Sequence, residues 1–267
     1  MSGRLVLPGI VLAAFIFLAA PVLIVVVASF NAGAVLSFPP TGFTTSWYER
    51  INPLFLDAVY VSLVVGFSTA LLSIVFGVPA ALALARGRYA GRDVLNSLCL
   101  SPLMVPALVT GVALYQFSLA VWDVTGIGLG GTIPGLVLGH MTFGIPFVIR
   151  AVIAGHARFD RALEEAARNL GATPLQTFWR VTMPVLKPSV VSGGIFAFLM
   201  SLDDVPIALF MGGGDATTLP VRIFTTVEFD FGGDVMAVAS LIVGVSVVLM
   251  LLLDRLVGLE QFFGTRH

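Results

Sequence analysis

Long apolar runs separated by short polar stretches fill most of this chain. A helix needs about 20 predominantly apolar residues to cross a bilayer. Six segments meet that length: about Leu5–Phe30, Ala58–Ala85, Leu95–Val121, Ile133–Ala154, Ser189–Met211 and Val235–Val257. Gly and Pro recur inside them, at Gly77–Pro79, Pro102–Pro106 and Gly144–Pro146. A helical bundle tolerates such breaks because neighbouring helices re-satisfy the freed backbone groups. The pattern predicts an all-α polytopic membrane protein with six transmembrane helices. Arg4 followed by an apolar run has the outline of a signal peptide. The run is too long for one and no clean small-residue cleavage site follows, so it reads as a retained first span.

One polar stretch breaks the pattern. Arg158 to Pro188, about thirty residues, carries its own helical signals. Apolar residues recur at Phe159, Ala162, Leu163, Ala166 and Leu170, one face of a helix. Arg158, Arg161, Glu164, Glu165 and Arg168 fall on the other face. Gly171 is placed to end that helix in the left-handed conformation. Thr173, Pro174 and Gln176 announce a second helix, with Thr as cap, Pro at the first position and Gln completing a capping box. Pro184 and Pro188 are expected to close it ahead of the fifth span. The bland alternative is an amphipathic hairpin resting on lipid headgroups.

Composition agrees with the bilayer as solvent. Apolar residues make up 58% and charged residues 11%, against roughly 25% charged in soluble domains. The distribution of positive charge predicts orientation. With six spans, Arg4, Arg86, Arg88, Arg92, Arg150, Arg158, Arg161, Arg168, Arg180, Lys187, Arg255 and Arg266 share one side, and only Arg50 and Arg222 fall on the other. Both termini and the Arg158 loop are therefore expected in the cytoplasm. Trp47, Tyr48 and Trp122 would sit near the outer boundary. The stretch from Gly212 to Asp234 would be an outer loop with Asp215, Glu228, Asp230 and Asp234 against Arg222 alone.

Several chemistries find no support. Cys99 is the single cysteine and the three histidines are scattered, so no disulfide framework or metal site is expected. A phosphate-binding loop needs Gly-x4-Gly-Lys-Ser/Thr, and the only lysine, Lys187, precedes a proline. No Ser–His–Asp set suggests itself, and His140 reads as an interior histidine. The charge pattern gives no reason to expect nucleic acid.

In the fifth span, Asp203 and Asp204 interrupt an apolar run. A carboxylate in hydrocarbon costs on the order of 2.5–3.5 kcal/mol on insertion scales, so such residues mark a partner or a water-filled pathway. Counting from Pro188 at about 1.5 Å per residue puts the pair about 22 Å up, past the midplane. Pro206 cannot donate to the carbonyl of Leu202, so the helix should kink there. Adjacent residues point about 100° apart on a helix, so both acids cannot face one spot unless it breaks. At least one is expected to line a route for an amine cation; a structural pair or an interfacial position is the alternative. Tyr115, Gln116 and Ser118 form a weaker polar patch in the third span.

Glu165-Ala166-Ala167, three residues, Gly171, nine residues, then Val181-Thr182-Met183-Pro184 resembles the EAA motif of permease subunits of bacterial ABC importers. Val181 and Met183 stand where that motif has Ile and Leu. Val61–Arg86 and Ser97–Leu114 look like the second and third spans of that superfamily. Phe38–Ile51 and Ser201–Phe224 resemble the C-type subunit of spermidine/putrescine permeases, with Pro206 where that subclass has an apolar residue.

The resemblance implies a type I importer bundle forming one permease domain over 1–267, with a core of about 55–257 and a cytoplasmic coupling loop of about 156–187. It implies ATPase coupling through Glu165, Ala166, Ala167, Gly171, Thr173, Pro174, Phe178 and Pro184, and a substrate pathway at Asp203, Asp204 and Tyr115. Glu165 would pair with a partner arginine or fix the loop internally, and Phe178 and Trp179 would be apolar anchors. The implied partners are a second permease subunit in a heterodimer, two ATPase subunits, an external solute-binding protein and membrane lipid. The chain itself would bind no cofactor; ATP and magnesium would be used by the ATPase. The implied location is the bacterial inner membrane, and the implied cargo is a polyamine or related small organic cation. Another amine, an amino-acid derivative or iron are alternatives. A self-contained secondary transporter or channel would not need a docking helix.

Overall fold

The computed structural model describes residues 3–33, 39–87, 89–229 and 232–257. Arg88, Asp230, Arg266 and His267, which entered the charge and histidine arguments, lie outside them, as does Phe38. In chain order the helices are α1 Gly3–Ala28, α2 Ser46–Glu49, α3 Pro53–Arg86, α4 Arg92–Leu100, α5 Ala107–Thr125, α6 Ile133–His156, α7 Ala162–Asn169, α8 Pro174–Thr177, α9 Met183–Asp203, α10 Pro206–Met211, α11 Leu219–Phe229 and α12 Gly233–Val257. Five stretches are long and apolar enough to cross a membrane: Leu7–Ala28, Pro53–Arg86, Ala107–Thr125, Ile133–His156 and the helical run Pro174–Asp203. The sixth, in α12, has a shorter apolar stretch, Gly233–Val248.

Two predicted spans are redrawn. The third does not run from Leu95 to Val121. A 3-10 turn at Ser101–Leu103 follows α4, and α5 starts afresh at Ala107. Pro106 is extended at φ −55° and ψ 130°, and a proline disfavours helical geometry in the residue before it. The fifth does not run unbroken to Met211 but stops at Asp203, with α10 beginning at Pro206. The expected kink beside the acids is thus a full break. Nor do Pro184 and Pro188 end the helix before it. A π-helical turn at Phe178–Thr182, closed by the Met183 amide on the Phe178 carbonyl, joins α8 to α9. Pro184 has no N–H to give the carbonyl four residues back, and a widened turn beside it is one way a helix absorbs that defect.

Among the described residues, those within 1–57 and 222–267 form one compact unit and those within 58–221 another. In the first, α1 and α2 pack on α12. Tyr48 Oη lies 2.6 Å from Ser29 Oγ and 2.7 Å from Ser240 Oγ, and Trp47 Nε1 donates to the Asn31 carbonyl at 2.8 Å. These two aromatic residues therefore tie helix ends together. The expected outer loop from Gly212 to Asp234 holds a turn closed by a Gly213–Ala216 bridge, and then α11.

In the second unit, α6 lies at the centre and packs most extensively on α9. One core gathers Val61, Val65, Leu136, Ile207 and Ala208; the other gathers Ala81, Val148, Ile149, Val152 and Leu186. Gly193 permits the close approach of α9 to α6, because a Cβ there would lie 2.9 Å from Val148 Cα. In lipid, where water offers no drive between apolar helices, such small-residue contacts let backbones pack.

Candidate docking loop and translocation cavity

The loop from α7 to α9 folds as its signals predict at the turn. Gly171 takes φ +87°, and the Gly171 and Ala172 amides return to the Arg168 and Ala167 carbonyls, closing α7 in a Schellman motif. The Thr173 hydroxyl accepts from the Gln176 amide at 3.3 Å, while the Thr173 amide donates to Gln176 Oε1 at 2.9 Å. That is the anticipated capping box, with Pro174 at the first helical position.

The expected faces of α7 hold for Phe159, which is buried, and for Arg158, Arg161, Glu165 and Arg168, which are exposed, but not for Glu164 or the leucines. Glu164, assigned to the solvent face, is buried, whereas Leu163 and Leu170 of the apolar face are 47% and 89% exposed. Glu164 Oε1 accepts from an Arg86 guanidinium nitrogen at 2.6 Å and from the Thr182 hydroxyl; Arg168 lies 3.8 Å from Oε2. Arg86 Nε in turn donates to His156 Nε2 at 3.3 Å. One carboxylate thus joins the ends of α3 and α6 to the loop and to the start of the fifth span. Burial pushes the Glu164 carboxyl up. The Thr182 hydrogen bond and the Arg86 guanidinium outweigh it, and the group ends below its ordinary range. Nothing local in the sequence distinguishes Glu164 from Glu165, because the deciding partner, Arg86, is 78 residues away.

Held from behind by Glu164, the loop turns its motif residues outward. Glu165, Ala166, Gly171, Thr173, Pro174 and Pro184 are exposed, and Ala167 and Phe178 are half-buried. Leu175 and Trp179 are 67% and 59% exposed, and the Phe178 and Trp179 rings meet edge-on at 4.9 Å.

A cavity of about 710 Å³ opens between α6, α9 and the proline-bounded segment before α5. Phe143, Phe147 and Arg150 line it from α6, and Met200 and Asp203 from α9. Asp204 also reaches it, but its carboxylate is committed elsewhere. Asp204 is extended at φ −71° and ψ 123°, is 9% exposed, and its Oδ2 accepts the Ala208 amide at 2.9 Å, capping α10. His140 Nε2 lies 3.4 Å from the same oxygen without the alignment of a hydrogen bond, and His140 Nδ1 lies 2.6 Å from Ser201 Oγ. The break therefore separates the two acids: Asp204 faces inward as a cap and Asp203 stays exposed, with no ion pair or side-chain hydrogen bond among the described residues.

Ser201, His140 and Asp204 therefore lie together, a proximity the sequence did not reveal. Ser201 is 2% exposed and His140 fully buried, so no substrate bond reaches the hydroxyl; the cluster staples α6 to the broken helix. His140 is the interior histidine anticipated. Arg150 sits inside α6, six residues before its end. Tyr115 is 40% exposed on α5 and is not part of the cavity wall; Ser118 Oγ donates to its backbone carbonyl at 2.7 Å.

The chain is similar to known transport proteins along its length. A model of the binding-protein-dependent transport system inner membrane component family matches residues 73–259. The putrescine transport system permease protein PotI of Escherichia coli is 34% identical over 238 residues, covering 88% of this chain and 84% of that protein. The spermidine/putrescine transport system permease protein PotC of Haemophilus influenzae is 34% identical over 241 residues, covering 89% and 91%. Among solved structures, a chain of a bacterial ABC transporter involved in the import of the acidic polysaccharide alginate superposes with a TM-score of 0.67 at 19% identity, covering 96% of each chain, a likeness of fold. With its apolar helices and the family match over most of its length, this multi-pass membrane protein belongs to the binding-protein-dependent transport system inner membrane components.

Proposed function

We propose that the chain is a permease subunit of an ATP-driven importer for polyamines or a related small organic cation, and that it works with a separate ATPase. The observation that carries this reading is the exposed apolar side of α7. A helix that buries its glutamate and exposes Leu163 and Leu170 beside Leu175 and Trp179 has prepared an apolar surface for something outside the chain. Exposed aromatic and large apolar side chains often dominate contact energies. Glu165, Ala166, Ala167, Gly171, Thr173, Pro174, Phe178 and Pro184 form or shape that surface. Closure of an ATPase dimer would pull on it, and the Glu164 network would pass the pull to α3 and α9.

The amine reading draws support from the named cargoes of PotI and PotC and from Asp203, an unpartnered carboxylate in a cavity lined mainly by apolar residues. Asp203 meets the ammonium, Asp204 holds the helix break, and Tyr115 lies on an exposed face where a second permease would complete the pore. The positive-charge bias supports a cytoplasmic position for both termini and the loop in a bacterial cell, with the solute-binding protein on the opposite side. ATP and magnesium belong to the ATPase.

The test is reconstitution with a second permease, the ATPase and the binding protein in vesicles. Labelled putrescine and spermidine should accumulate only with ATP inside the ATPase-bearing compartment. Asp203→Asn should reduce uptake at least tenfold in a complex that still assembles; wild-type uptake by that variant would sink the pathway assignment.

A further inference from the structure

Arg86 is held from two sides, and one of its two side-chain acceptors is a histidine. Its Nη2 donates to Glu164 Oε1 at 2.6 Å and its Nε donates to His156 Nε2 at 3.3 Å. A guanidinium carries donors and no lone pair, so His156 must present a bare ring nitrogen, which only the neutral imidazole has. The ring is packed where it stands. His156 is 8% exposed, and the equally buried Phe159 stacks on it at 5.6 Å. The charges that face it are Arg86 from α3, Arg161 from the turn before α7 and Glu164 from α7. Glu164 is the one anion of these three, and Arg86, Thr182 and Arg168 already face its oxygens. Other charges on the neighbouring elements are directed elsewhere. Asp160 Oδ1 accepts the Ala162 amide, Arg92 of α4 donates to the Leu84 carbonyl, and Arg158 and Lys187 of α9 are exposed.

A proton on His156 does two things at once. It removes the acceptor of Arg86 Nε, and it sets a second cation 3.3 Å from that nitrogen, where arginines already outnumber the carboxylate. Like charges this close are relieved when one of them leaves. The ring is packed against Phe159, so the group that leaves is Arg86, which ties Glu164 and the coupling loop to α3. We propose that His156 is a proton-sensitive positioning residue of the coupling loop. Neutral, it aims Arg86 at Glu164; protonated, it releases the loop and slows transport when the cytoplasm acidifies. The effect on transport rests on the proposed coupling role of the loop. A freed imidazole takes up its proton near pH 6.5. Docking that admits only the neutral ring is fully present above that pH, is lost as pH falls, and is weaker by about tenfold at pH 5.5. Glu164 lies below its ordinary range and stays ionised there, so the two groups act in separate pH windows.

The test compares wild type with His156→Gln, whose amide oxygen accepts from Arg86 at every pH. Hydrogen exchange of the amides of 162–182, corrected for intrinsic exchange, is measured in the purified importer complex at about pH 7.5, 6.5 and 5.5. Wild-type protection should fall by up to about tenfold across that range while that of α12 is unchanged, and protection in His156→Gln should change by less than about twofold. ATP-driven uptake of labelled putrescine is measured in vesicles with the ATPase side set to the same pH values. The ratio of wild-type to variant uptake, which cancels the pH dependence of the ATPase itself, should fall severalfold from pH 7.5 to 5.5. Wild-type loop protection that does not change over this range overturns the proposal, and that arm needs no variant. Parallel pH profiles in the two proteins also overturn it, while the coupling role stands if Glu165→Ala still abolishes uptake. A wild-type loop that loosens at pH 5.5 with no fall in the uptake ratio overturns the effect on transport together with the coupling role.

Discussion

Glu164→Ala is the substitution whose effect follows most directly from the structure. It removes the carboxylate that accepts from Arg86 at 2.6 Å and from Thr182, with Arg168 at 3.8 Å. A fully buried pair loses about 3–5 kcal/mol when one partner goes, and an exposed one about 0–1 kcal/mol. The Glu164 side chain is 11% exposed, but that of Arg86 is 33% exposed and rehydrates once freed. The Thr182 hydroxyl, in a residue that is 1% exposed, loses its acceptor. A cost of about 2 kcal/mol lies between those limits and corresponds to about a 30-fold shift in the equilibrium of loop docking. The assay is hydrogen exchange of the amides of 162–182 in the detergent-solubilised complex. Their protection should fall about 30-fold while that of α12 is unchanged. Glu165→Ala, which removes an exposed carboxylate, should leave protection intact and weaken ATPase association instead. Unchanged protection in Glu164→Ala, or the two variants exchanging roles, would refute the reasoning.

The remaining predictions concern titration, turn and packing. The Glu164 carboxyl is lowered from its ordinary 4.5, so its contribution is fully present above about pH 4.5 and is lost as pH falls through the lower folded value. Isolated as the difference between wild type and Glu164→Gln, and corrected for intrinsic exchange, this share of loop protection should decline only below about pH 5. Gly171→Val should destabilise the loop by about 1–2 kcal/mol through its left-handed backbone alone, since no atom lies within 4 Å of a Cβ there. Loop exchange should show it, and Gly171→Asn should cost less. Gly193→Val must push α6 from α9, because its Cβ would meet Val148 Cα at 2.9 Å. The melting temperature of the complex should drop by an amount matching about 1–3 kcal/mol. Asp204→Ala should lower stability by about 0.5–2 kcal/mol through its lost cap, whereas Asp203→Ala should leave the melting temperature unchanged.

What could be read from the sequence was what local chemistry decides. Apolar length located the spans, and Gly171, Thr173, Pro174 and Gln176 wrote out a turn whose hydrogen bonds close within six residues. The break at Asp203–Pro206 was partly visible because proline deletes a specific donor. What escaped depends on partners far along the chain. The apolar stripe of α7 looks like a buried face because helical periodicity records amphipathicity without recording which side meets protein; Arg86 decides that. Asp203 and Asp204 are equivalent on paper, and the Ala208 amide and His140 separate them. Arg150 was counted as a topological charge, and only the packing of α6 on α9 sets it in the same cavity wall as an acid.

The central claim is that this chain is the conduit of a transporter whose motor is another polypeptide. Its most direct test is uptake of labelled amine into vesicles bearing the chain with and without its ATPase subunits, under a fixed ion gradient. The account predicts accumulation only when the ATPase, ATP and solute-binding protein are all present, and its loss in Glu165→Ala. Accumulation driven by the ion gradient in vesicles that lack the ATPase would contradict it.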